Sequence, residues 1–152
     1  YEDREERLAQ TKSLAARYVK EVLKVKNKYG VKYVGIVELL PIEHECRRLP
    51  KTGNYKGQPF WGTAAERMEV RDVFNSTLKR LQTEYGGFKI IQWPEEYSHS
   101  EETTVSLDSL SGVFKTYPEK EITFKPGMLR FEVMEKPHSV HVAPTYYLWS
   151  AV

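Results

Sequence analysis

The sequence predicts an α/β domain, an open and mainly parallel sheet flanked by helices. Three observations carry this. Helical and extended patterns alternate in the order helix, strand, helix, strand, and parallel neighbours need a covering crossover between them. The first extended stretch, Val31 to Leu40, is rich in β-branched residues and nearly continuous in apolarity, as suits a strand covered on both faces. Both extended stretches run into a proline, Pro41 and Pro94.

From Asp3 to Tyr29 the residues Leu8, Ala15, Val22 and Tyr29, with Leu14, Tyr18, Val19 and Leu23 beside them, recur at helical spacing, while Lys and Glu take the other side. Gly30 stands where a left-handed C-cap residue belongs. Residues 43–62 are broken by Pro50, Gly53, Gly57 and Pro59 and hold no sustained period. They read as a long loop, a kind of segment that often carries function. Thr63 and Glu66 have capping-box spacing. A helix over Ala64 to Tyr85 follows, expected to bury Met68, Val70, Val73, Phe74, Leu78 and Leu81 and to stop at Gly86-Gly87. Phe88 to Trp93 is the second strand. Ile122 to Met134 alternates about Pro126-Gly127, the pair expected at the centre of a type II turn, and predicts a β-hairpin. Pro144 and Thr145 open a terminal apolar segment, Tyr146 to Val152, read as a helix packed on the sheet.

The chain's 152 residues suit one domain. With 40% hydrophobic and 29% charged residues the composition is that of an ordinary globular chain. No apolar stretch approaches the about 20 residues of a membrane span, and no signal peptide is visible at the start, so an intracellular setting is weakly favoured. The 23 Lys and Arg against 21 Asp and Glu leave a net charge of +2, too small for the broad basic field of a nucleic-acid binder. Neither a membrane nor a nucleic acid is therefore expected as partner. Cys46 is the only cysteine, which rules out an internal disulfide and a four-cysteine zinc site.

Ligands of open parallel sheets bind beyond the carboxyl ends of the strands. That rule brings together the loop after Leu40, the loop after Trp93 and residues 136–144. The candidates on this rim are Glu43, His44, Glu45, Cys46, Arg47, Arg48, Trp93, Glu95, Glu96, His99, His138 and His141.

The run Lys136 to Trp149 (KPHSVHVAPTYYLW) resembles the last block of the SGNH (GDSL-type) hydrolases, in which Asp-x-x-His is followed by an apolar residue, a nearby proline and a helix. VGIVELLP, a helix leading into a strand that ends in proline, and Phe74-Asn75 on the helix before the next strand are similar to that family too. The resemblance follows element order along the whole chain and matches the carboxyl-terminal part of the family's fold. It implies a three-layer, flavodoxin-like α/β/α sandwich and hydrolysis of an ester by a serine nucleophile. Carried over by position, His141 would be the general base and His138 would stand at the family's aspartate position. A histidine cannot do the carboxylate's work there in the same way, and Glu135 and Glu43 are the nearest carboxylates in view. The Gly-Asp-Ser block and the oxyanion-hole blocks are not seen. Leu107-Asp108-Ser109-Leu110 echoes the first of these at a place where the family does not put it. The expectation is that the first strand and the serine block lie outside the numbered residues.

On this reading the substrate is a small ester or an acylated carbohydrate. Arg47 and Arg48 are the groups to hold an anionic substrate part by paired hydrogen bonds, with Trp61 and Trp93 offering aromatic surface. Solvated surface charge and pinning of the loop are the plainer accounts of the same residues. His138 with His141 gives too few ligands for zinc, His44-Glu45-Cys46 lacks the cysteine pair a zinc deaminase needs, and a lone Cys46 is more often packing than nucleophile. No metal and no cofactor is assigned. The competing reading is a catalytically inactive SGNH-like domain that serves a larger assembly as a protein-interaction or structural subunit.

Overall fold

The computed structural model describes residues 3–42, 62–106 and 120–130. It is a mixed α/β structure with two long helices, α1 (Arg4–Tyr29) and α2 (Ala64–Tyr85), and four short strands, β1 (Gly35–Val37), β2 (Lys89–Ile91), β3 (Thr103–Ser106) and β4 (Glu121–Phe124), among the described residues. The chain divides into two compact units, Tyr1–Leu40 with Met68–Pro94 and Pro41–Arg67 with Glu95–Val152.

In the first unit the helix ends are set locally, the C-terminal one by Gly30 as the sequence predicts. The Asp3 carboxylate accepts from the Glu6 N–H at the start of α1, satisfying a donor that has no partner within the helix. Gly30 closes the helix at φ 63°, a left-handed conformation that costs a glycine nothing. β1 and β2 pair in parallel, Ile36 opposite Ile90, with α2 as the crossover between them. The ladder continues past the strand ends through Lys89 N to Val34 O and Glu38 N to Ile91 O.

Val19 of α1, Leu78 and Leu81 of α2, Ile36 and Phe88 form one buried cluster, with Ala16, Val22, Leu23, Phe74 and Ile90 packed against it. Each fully buried Leu or Ile is worth about 1.5–3 kcal/mol relative to exposure. Both helices therefore cover the same face of the parallel pair. The other face carries the exposed Val37 and Ile91, so the strand is covered on one face where its apolarity predicts two. The α1 face is also corrected. Ala15 and Val19 are buried, but Leu14, Tyr18 and Tyr29 are exposed, because the contact with α2 and the sheet takes only part of the apolar arc. The Arg4 guanidinium reaches across to Glu69 of α2 at 2.7 Å.

In the second unit the capping box forms as its spacing predicts. Thr63 N donates to Glu66 Oε1 at 3.1 Å, and Glu66 N donates to Thr63 Oγ1 at 3.2 Å. A single 3-10 turn, Glu95–Tyr97, leads into β3, which pairs antiparallel with β4.

The Pro126-Gly127 turn is present. Met128 N donates to Lys125 O at 3.1 Å and Gly127 takes φ 89°, as position i+2 of a type II turn requires. Residues 131–134 of the expected hairpin lie outside the described residues. The chain after the turn bonds to Tyr97, His99 and Ile42, while β4, before it, pairs with β3. Ser98↔Leu129 is an isolated antiparallel bridge, and between it and the β3–β4 ladder the turn interrupts the pairing, with His99 bonding to both Gly127 and Met128. Local sequence alone does not reveal which partner each side of a turn will choose.

Tyr97, His99, Ile122, Phe124, Met128 and Leu129 are buried in this unit. The terminal segment Tyr146 to Val152, read from sequence as a helix, lies outside the described residues.

Candidate functional site

The carboxyl ends of β1 and β2 form the rim to which the parallel-sheet rule points. Here the chain leaves β1 through Glu38 and Leu39 and leaves β2 through Gln92 and Trp93. Asn75, on the buried side of α2, makes two hydrogen bonds to one residue of this exit. Its Oδ1 accepts from Leu39 N at 2.9 Å, and its Nδ2 donates to Leu39 O at 3.3 Å. Arg71, one helical turn earlier, also donates to Leu39 O from Nε at 3.3 Å, and to Asp72 Oδ1 from Nη1. Trp93 donates its indole N–H to Glu38 O at 2.8 Å. The first two residues beyond β1 are therefore held by α2 and by the exit of β2 together.

This arrangement satisfies backbone groups that a strand leaves unpaired once it diverges from its neighbour. A polar side chain tolerates burial only when it is so paired, and Asn75 is 8% exposed. Trp93, expected as aromatic substrate-binding surface, stands at the rim, half-buried, with its ring nitrogen engaged on the chain's own backbone. Asn75 and Arg71 as rim residues were not singled out for this work. The signal for them is a polar residue at a core position of α2, sharing the stripe of Leu78 and one residue from Phe74.

His99 lies between the 3-10 turn and β3. It is buried, its ring stacks on Phe124 with centroids 4.6 Å apart and 26° between planes, and its backbone bonds to Met128 O and Gly127 N. Glu95, Glu96, Glu101 and Glu102 are exposed. The other expected site residues, Arg47, Arg48, Trp61, His138 and His141, lie outside the described residues. So do Glu43, His44, Glu45, Cys46, Glu135 and the Leu107–Leu110 echo. Among the described residues no group of three His, Cys, Asp or Glu is placed to hold a metal ion, and no helix is long and apolar enough to cross a membrane.

A charge pair away from the rim joins Arg4 to Glu69. Their hydrogen bonds, Nε to Oε1 at 3.0 Å and Nη2 to Oε2 at 2.7 Å, hold the Glu69 carboxyl below its ordinary range and raise Arg4. The buried Arg7 guanidinium adds a cation 3.9 Å from Glu69 Oε1.

The chain matches no protein-family model, no curated protein and no solved structure.

Proposed function

We propose that this chain is an ester hydrolase similar to the SGNH family, acting on a small ester or an acylated carbohydrate. The observation that supports the reading is the parallel β1–α2–β2 unit with a braced carboxyl rim, since a hydrolytic site of this type is assembled from loops leaving such a rim. The three-layer, flavodoxin-like sandwich is part of the proposal, with further layers completing the sheet. His141 acts as general base. It takes the proton of a serine hydroxyl as that oxygen attacks the ester carbonyl, and returns it to the departing alcohol; water then cleaves the acyl-serine by the same route. The serine stands outside the motifs recognisable in this sequence. His138 occupies the position that orients the base, and Arg47, Arg48, Trp61 and Trp93 face the substrate.

A chromogenic short-chain ester assay on the full-length gene product tests this. Turnover that His141→Ala reduces by at least about a thousandfold supports the proposal, in line with the loss of a catalytic base. Absence of turnover in the parent overturns it.

A second reading, a noncatalytic interaction domain, draws on one specific observation. The polar groups resolved at the rim, on Asn75, Arg71 and Trp93, are bonded to the chain's own backbone. An inactive parent protein that captures a defined protein partner would favour this reading.

A further inference from the structure

α1 exposes more than one kind of surface. Leu14, Tyr18 and Val25 are each about half exposed, at 50%, 50% and 51%, and Tyr29 is 69% exposed. At 3.6 residues per turn these four positions fall within about 60° of arc. They form a straight apolar stripe beside the buried face, not scattered single residues.

Arg17, Lys20, Lys24 and Lys28, all exposed, fall within the adjoining arc of about 80°. From Lys12 to Lys32 the chain carries seven Lys or Arg and one acidic residue, Glu21. Lys28 lies over the Tyr29 ring at the last turn of the helix, and beyond it Lys32 lies over the Tyr33 ring, at 5.2 and 5.4 Å. The small net charge of the whole chain conceals this segregation.

We propose that α1 docks the protein on an anionic lipid surface. The stripe would enter the boundary between headgroups and acyl chains while the row of cations meets lipid phosphates and carboxylates. The exposed tyrosines suit that depth, where an apolar ring and a polar hydroxyl are both accommodated. The charge pattern argues against an antiparallel pairing with a second copy of this chain, because it would bring two cationic rows onto the same side of the seam. A phosphate polymer would satisfy the cations but leave Leu14 and Val25 with little to gain. A bilayer satisfies both arcs at once. The inference rests on α1 alone and is independent of the ester-hydrolase reading.

The test is co-sedimentation of the full chain with vesicles of phosphatidylcholine, with and without phosphatidylserine, at low and high salt. Sedimentation is expected with the mixed vesicles only, weakening as salt screens the charges. Lys20→Glu with Lys24→Glu should weaken it by at least about tenfold, since each basic residue near such a surface is worth about fivefold. Tyr18→Ser with Val25→Ser should weaken it comparably. Both pairs alter exposed side chains, and an unchanged urea midpoint verifies that each variant is folded. Equal sedimentation with pure phosphatidylcholine, or none with either vesicle, overturns the proposal. So does binding to polyglutamate or single-stranded DNA as tight as to the mixed vesicles and indifferent to the Tyr18 and Val25 changes.

Discussion

Asn75 holds Leu39 by both polar groups of its peptide links, accepting from its N–H at 2.9 Å and donating to its carbonyl at 3.3 Å. The side chain thereby imitates a neighbouring strand at the point where β1 leaves its real one. It joins the direction of the outgoing chain to the position of α2.

The replacement Asn75→Leu keeps similar volume and removes both bonds. Leu39 O keeps its bond from Arg71 while Leu39 N loses its acceptor, and a net hydrogen bond is worth about 0.5–1.5 kcal/mol, so the urea midpoint should fall accordingly. Asn75→Asp retains the acceptor and loses the donor, setting a carboxylate against the Leu39 carbonyl. It should be destabilised as well, most of all near neutral pH where the carboxylate is charged.

For Trp93 the expected change is smaller. Trp93→Phe preserves an aromatic ring and deletes the N–H that reaches Glu38 O, a loss of about 0.5–1.5 kcal/mol in denaturant titration. A midpoint identical to the parent's would mean that the indole nitrogen braces nothing.

The Arg4–Glu69 pair sets a pH dependence. The hydrogen bond from Arg4 holds the folded Glu69 carboxyl below its ordinary value near 4.5, so the folded state binds that proton less tightly than the unfolded state. The stabilisation is therefore complete above the ordinary carboxylate range and fades as pH falls through the depressed folded value. Urea midpoints of the parent and Glu69→Gln should differ at pH 7 and converge toward pH 3. A gap of the same size at both pH values would contradict the assignment.

Gly127 adopts φ 89° in the turn that follows β4. Gly127→Ala forces a side chain into a conformation that L residues avoid, at a cost of about 1–2 kcal/mol, and thermal denaturation should register it. The neighbouring Pro126 leaves no room for the strain to move to the preceding turn position, because its ring already fixes φ there.

What could be read from the sequence was what is decided over a few residues. Gly30, the Thr63–Glu66 box and Gly86-Gly87 each act on a helix end within one turn, and the helices end where these residues place them. The partners of β4 and of Met128 are chosen by segments about twenty or more residues away along the chain, and alternation records only that a strand exists. Periodicity likewise identified an apolar arc on α1 without indicating how much of it a neighbour would cover, which is why Leu14, Tyr18 and Tyr29 were expected inside. Asn75 was legible only as an anomaly, a polar residue in a buried row whose purpose depends on the exit path of β1.

The one-to-one pairing of β3 with β4 bears on which length changes the chain can accept. Thr103 to Ser106 stand opposite Phe124 back to Glu121 without a bulge. Deleting one residue from either strand alone would turn the side chains beyond it to the opposite face, exchanging the buried contacts of Ile122 or Phe124 for solvent. Matched deletions on both strands would leave the alternation intact. The two strands, distant in the sequence, are bound to change length together.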